Sequence, residues 1–254
     1  MINFISTKDT INAITNSLNK KYNGGYLRFG DGDANIASGA SDMYQTGNPQ
    51  IRQEMIDTFA LNLPNLFKAF PHHTHTARRE PLMEPGNMIF TDADFNRMAA
   101  NVSRFWDMTG DVYSAVALHQ QLNETPNLLV KFFTLCRTFD IVFVGNKTFD
   151  KQSIKDLFGD AVTFVDTLPR DAYQEIDKLE AEINALDNNY KLYIMCCGMS
   201  SRILTKRLIG NKPGFFFDIG SVIDVFLAKP KLDRTWLRIT NAVENAKYVK
   251  EKLK

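Results

Sequence analysis

Asp31 and Asp33 stand two residues apart in Tyr26-Leu27-Arg28-Phe29-Gly30-Asp31-Gly32-Asp33, where an apolar lead-in ends in an arginine and glycines flank the carboxylates. Hard divalent cations such as Mg²⁺ and Mn²⁺ take a few carboxylate oxygens and keep positions open for phosphate and water. Two carboxylates at this spacing can converge on one such ion. Arg28 adds a planar fork that suits phosphate better than lysine would. The segment therefore points to a metal–diphosphate site. Read alone, a glycine turn with solvated carboxylates and a structural arginine explains the same residues, because this pairing is common in unrelated chains.

Three other segments carry comparable chemistry. Gly198-Met199-Ser200-Ser201 opens a helix after an apolar run. The free N–H groups of a helix start, with Ser200 and Ser201 hydroxyls, suit a phosphate, and simple N-capping suits them equally. Arg202 and Lys206 follow as phosphate partners or solvated face. Gly145-Asn146-Lys147 ends another apolar run and could touch base, ribose or phosphate; a plain strand-ending turn is the competing account. Asp218-Ile219-Gly220-Ser221 leads to Asp224. A carboxylate at the end of an apolar run, as at Asp218, is partly desolvated, which is how a general base is tuned. Helix capping by Asp218 and a salt bridge at Asp224 are the structural alternatives. The chain lacks the P-loop lysine pattern and the three-glycine dinucleotide fingerprint.

The elements that must position these residues follow from periodicity. Continuous apolar strands are expected over Gly25–Phe29, Leu66–Phe70, Val112–Leu118, Ile141–Gly145, Val162–Val165, Leu192–Cys196 and Phe215–Ile219. Helices are expected over Thr7–Lys20, Ala34–Ser38, Pro49–Leu63, Asp92–Trp106, Pro126–Phe139, Lys151–Phe158, Asp171–Leu186, Met199–Ile209 and Val222–Leu227, with a last one in the final ten residues. Buried strands alternating with helices predict an α/β, Rossmann-like fold: a mostly parallel sheet with helices on both faces. Such sheets bind ligands at the carboxyl ends of their strands, which is where all four segments fall. No Pro/Gly-rich linker divides the 254 residues, so a single domain spanning 1–254 is expected.

Composition narrows the partners. Thirty basic residues against 29 acidic ones, net +1, argue against a nucleic-acid binder. No apolar run reaches membrane-span length and no leader segment is visible, so the chain reads as cytoplasmic. The lysine-bearing terminal helix reads as solvated; a peripheral membrane contact is the weaker account. Cys136, Cys196 and Cys197 form no disulfide framework and read as buried thiols. The loop Pro71–Asn87 holds His72, His73 and His75, without the further ligands a structural zinc needs, and Arg78, Arg79 and Glu80, which could close over a substrate. His119, Gln120 and Gln121, after an expected strand, could bond sugar hydroxyls.

Taken together, Leu27–Asp33, Gly198–Ser201 and Asp218–Asp224 resemble the glycosyltransferases of the GT-D fold, a family once catalogued as a domain of unknown function. That family carries an arginine-phenylalanine-glycine-aspartate-glycine-glutamate motif, a glycine turn before a helix and a late aspartate-isoleucine-glycine motif with a further aspartate. The order holds from about Tyr26 to Leu227. The resemblance implies a Rossmann-like fold and transfer of a sugar from a nucleotide diphosphate donor, by analogy a UDP-sugar, to a glycan or glycoconjugate acceptor. It implies Mn²⁺ or Mg²⁺ at Asp31 and Asp33, and phosphate or nucleotide contacts from Arg28, Gly30, Asn146, Lys147, Gly198, Ser200 and Ser201. Asp218 or Asp224 would deprotonate the acceptor. The chain departs from the family at Asp33, commonly glutamate, and at Ser221, often histidine. Two other readings compete: a nucleotide-dependent methyltransferase, using Gly145 and Asp166, and a non-catalytic sugar-nucleotide-binding module.

Overall fold

A computed structural model describes residues 2–71, 92–227 and 241–254, with backbone only for 92–95. The segment expected to form a loop with His72, His73, His75, Arg78, Arg79 and Glu80 lies outside the described residues. Eight strands form one sheet: β1 (Ile2–Phe4), β2 (Gly24–Arg28), β3 (Leu66–Phe70), β4 (Gly110–Ser114), β5 (Asp140–Asn146), β6 (Val162–Thr167), β7 (Lys191–Cys196) and β8 (Gly214–Asp218). Their order is β1-β4-β3-β2-β8-β7-β5-β6. Every pairing is parallel. The first four strands build one half and the last four the other, meeting at the β2–β8 pair.

Side-chain alternation explains why both faces are covered. Phe215 and Phe217 of β8 point into one core with Ile194, while Phe216 points into the other with Tyr193 and Met195. The first core is closed by α1 (Thr7–Asn19), α5 (Ala117–Glu124), α6 (Pro126–Cys136), α7 (Lys151–Phe158) and α10 (Ala242–Lys252). The second is closed by α2 (Asp31–Ala37), α3 (Pro49–Ala60), α4 (Asp92–Val102), α8 (Ile176–Asn184) and α9 (Ser200–Leu208). Local chemistry sets the helix starts. Ser6 caps α1 by accepting from Asp9 N, Asn48 caps α3 ahead of Pro49, and Asp150 caps α7.

Four expectations are corrected. The acidic stretch is no loop: Asp31 and Asp33 occupy the first turn of α2, where the helix dipole favours negative charge. The strand expected over Val112–Leu118 ends at Ser114, and α5 begins at Ala117. His119, Gln120 and Gln121 are therefore helical and buried, with Gln121 donating to Thr7 Oγ1. The helix expected from Asp171 is preceded by a 3₁₀ turn, Ala172–Glu175, because Asp171 adopts a left-handed conformation (φ 53°) and accepts from Thr46 N. Val222–Leu227 is replaced by a 3₁₀ turn over Gly220–Val225.

A polar clasp fixes three helices of the second face. Arg207 on α9 donates to both carboxylate oxygens of Glu54 on α3, and its Nη1 reaches Asp177 and Glu180 on α8. Tyr173 OH adds a third donor to Glu54 at 2.7 Å. Burial opposes the Glu54 charge, but the Arg207 and Tyr173 bonds outweigh it and hold its pKa below the ordinary 4.5. A depressed folded-state pKa contributes stability above the unfolded value, which is lost as pH falls. Glu54→Gln should therefore cost about 1.5–3 kcal/mol near neutral pH, the range for hydrogen bonds to charged groups. The gap to wild type should close below the ordinary glutamate range. Urea unfolding across pH checks this; a gap that stays constant into acid would refute it.

Candidate active site

The cleft lies over the carboxyl ends of β2, β8, β7 and β5, across the seam between the two halves. One cavity of about 240 Å³ is lined by Arg28, Asn146, Gly198, Arg202, Asp218 and Asp224, among others. A second, of about 260 Å³, is lined by Gly30, Gly32, Asp33 and Asp42. Arg28, Tyr44, Gly198, Met199 and Arg202 line both, so the two cavities are parts of one cleft. Residues up to 196 positions apart in the chain (Arg28 and Asp224) thus meet where the sheet topology predicts.

Arg202 organises the floor. Its Nε lies 3.3 Å from Asp33 Oδ1 and 3.4 Å from Asp218 Oδ2. The same Nε donates to Arg28 O, and Nη1 donates to Gly198 O, each at 2.6 Å. Burial opposes this charge, but Asp218 and Asp33 together hold the guanidinium pKa above the ordinary arginine value. One cation therefore ties the ends of β2 and β8 and the first turn of α2 to the start of α9. Asp33 is further fixed because its Oδ2 accepts from Gly30 N at 2.8 Å. Burial pushes the Asp33 carboxyl up to about 6, against the lowering pull of Arg202 and the Gly30 N–H.

Arg28 enters the cleft from the end of β2, and its Nε donates to Ala115 O at 2.7 Å. Gly220 makes room for it: a Cβ there would overlap the Arg28 guanidinium, and φ is +55°. Gly198 also has a left-handed φ, +61°, and open space beside it. Ser200 and Ser201 are turned inward. Ser201 Oγ accepts from Cys197 N at 3.0 Å, Ser200 Oγ donates to Gln45 Oε1 at 3.4 Å, and neither lines the cleft. Asn146 lines the cavity, with its Oδ1 accepting from Thr148. Lys147 is exposed and lies off the cleft.

Asp31 is half-buried and does not itself line the cleft, although Gly30, Gly32 and Asp33 around it do, and its Oδ1 is buried without a hydrogen-bond donor. Asp33 Oδ1 and Asp218 Oδ2 accept no hydrogen bond either, but each is compensated by the Arg202 guanidinium. No cluster of three or more metal-binding side chains occurs among the described residues. The buried Asp31 oxygen fits a Mg²⁺-type ion, which takes one or two carboxylates and completes its shell with phosphate and water. The buried Asp31 oxygen is the atom that such an ion would satisfy.

Several site residues carried no sequence signal. Tyr44 and Asp42 come from the segment between α2 and α3. Asp42 accepts from Tyr44 N and Gln45 N, and Asp171 anchors the same segment through Thr46 N. Leu168, Pro169 and Arg170 line the cavity after β6 and could have been found by the strand-end rule. Ser221, which the late motif had marked, lines it too, and His119 Nε2 lies 3.1 Å from its Oγ, so an imidazole reaches this position from α5. Among the described residues no helix is long and apolar enough to cross a membrane.

No protein-family model matches the chain, and no curated protein does. Solved structures do. A DUF1792 glycosyltransferase from Streptococcus sanguinis superposes with a TM-score of 0.66 at 18% identity, over 88% of this chain and 83% of that one. A selenomethionine structure of the domain of unknown function 1792 gives 0.70 at 16% identity, over 88% and 79%. A third, described as showing that this domain has a distinct glycosyltransferase fold, gives 0.68 at 17%, over 86% and 78%. The all-parallel eight-stranded sheet, with its cleft at the β2–β8 seam, is thus the glycosyltransferase fold of the DUF1792 structures, the GT-D fold that the three motifs resemble.

Proposed function

We propose that the protein is a metal-dependent glycosyltransferase that moves a sugar from a nucleotide diphosphate donor, a UDP-sugar, to a hydroxyl of a glycan or glycoconjugate. The carrying observation is the convergence of Arg28, Arg202, Asp218 and Asp224 on one cavity at the strand ends of a fold shared with a DUF1792 glycosyltransferase. Mn²⁺ or Mg²⁺ held by Asp31 and Asp33 would neutralise the leaving diphosphate. Arg28 binds phosphate oxygens with the guanidinium nitrogens that its Ala115 bond leaves available, and the open backbone at Gly198 lets the diphosphate approach closely. Asp218 and Asp224 line the same cavity as carboxylates for the acceptor hydroxyl.

The methyltransferase reading has less support. Asp166, which it would use on a cofactor ribose, is paired with Lys151 at 2.8 Å outside the cleft. A thermal-shift comparison decides: UDP with Mn²⁺ should raise the unfolding midpoint and S-adenosylmethionine should not. A screen of nucleotide sugars for metal-dependent UDP release then tests turnover. Stabilisation by S-adenosylmethionine alone would overturn the proposal, and binding without turnover of any donor would favour the non-catalytic module.

Gly220→Ala probes the Arg28 pocket. The left-handed φ makes alanine cost about 1–2 kcal/mol, and the new methyl must displace the guanidinium. Loss of one charge-assisted hydrogen bond to phosphate predicts about tenfold or more weaker UDP binding. Calorimetric affinity equal to wild type would show that Arg28 does not touch the diphosphate.

A further inference from the structure

Ser221 sits midway along the turn between Asp218 and Asp224, both nearly fully buried, and it lines the cavity that they line. Behind it, His119 is 6% exposed on α5, with Nε2 3.1 Å from Ser221 Oγ. The two residues are 102 positions apart, so the fold alone creates the pair. Asp218 already pairs with Arg202, its Oδ2 3.4 Å from Nε. A serine on the cavity wall whose hydroxyl is bonded to an imidazole is the arrangement of a proton relay, because a neutral imidazole nitrogen accepts what the hydroxyl passes on.

We propose that Ser221 and His119 carry the acceptor's proton out of the cleft. This rests on the glycosyltransferase reading and extends it to two residues. The acceptor O–H gives its proton to Ser221 Oγ as Ser221 gives its own to His119 Nε2. The acceptor oxygen bonds to the anomeric carbon, and the bond from that carbon to the diphosphate breaks with its electron pair leaving on the diphosphate. Ser221 touches the acceptor; His119 acts through it as a positioning residue.

The test compares Ser221→Ala, His119→Gln and the double variant with wild type, measuring UDP release in the presence of acceptor and UDP affinity by calorimetry. Glutamine keeps an amide oxygen that can accept from Ser221 Oγ but cannot take up a proton. Each single change should lower kcat about 100-fold, as for loss of a general base, with donor KM and UDP affinity unchanged. The double variant should lose no more than either single one, because the two act as a unit. Ser221→Ala, a minimal change that keeps the fold, guards against misfolding at the buried histidine. Wild-type turnover with Ser221→Ala within about threefold of it, or losses that multiply in the double variant, would overturn the relay alone. Wild type that binds UDP but turns over no nucleotide sugar would overturn the glycosyltransferase reading and the relay with it.

Discussion

Arg202→Met should destabilise the protein by about 3–5 kcal/mol, the cost of leaving a buried ion pair without one partner. The guanidinium is the only cation within ion-pairing distance of both Asp33 and Asp218 among the described residues. Methionine fills the volume but strands two carboxylates that are about 3% and 2% exposed. It also removes the donors to Arg28 O and Gly198 O, so the cleft floor loosens together with the fold. The deficit should shrink with acid. Burial already raises Asp33 to about 6, so its contribution is most favourable below the ordinary carboxylate range and is lost as pH rises toward 6. Removing Arg202 removes a lowering influence and lifts that carboxyl further. Urea unfolding of metal-free protein at neutral pH and at about pH 5 should therefore show a smaller gap in acid. A gap that widens in acid would mean that Arg202 is not what compensates these charges.

Asp31→Ala should do the opposite: leave the fold nearly intact and remove the activity. Its Oδ1 has no donor to lose, and its interaction with the α2 dipole is worth about 0.3–1 kcal/mol. Loss of a charge-stabilising element at the diphosphate predicts a fall in kcat of about 100- to 1,000-fold. Asp33→Ala should lose both, because Asp33 also holds Gly30 N and pairs with Arg202. Wild type in excess chelator should match Asp31→Ala. Full turnover by Asp31→Ala, or by wild type in chelator, would remove the metal from the mechanism.

The contrast between Asp31 and Asp33 shows how much of the site was legible in the chain. Their spacing marked the segment, but the division of labour did not show. Asp33 meets Arg202 only because α2 and α9 converge across β2, 169 residues apart in sequence. Arg202 itself read as a phosphate partner or a solvated helix-face cation, since one arginine on a helix carries no signal of the carboxylates it will meet. His119 read as a strand-end group until α5 turned it toward Ser221.

By itself the sequence determined the layered architecture and the end of the sheet that carries the site. Apolar runs such as Leu192–Cys196 and Phe215–Ile219 can be buried on both faces only in a covered parallel sheet, and polar residues directly after them must cluster at its carboxyl edge. Only the tertiary structure decided strand order, and with it which of those edges are neighbours. That order placed Arg28 beside Asp218, set Arg202 between two carboxylates and brought His119 to Ser221. Such contacts depend on distances between elements remote in sequence, which local periodicity does not encode.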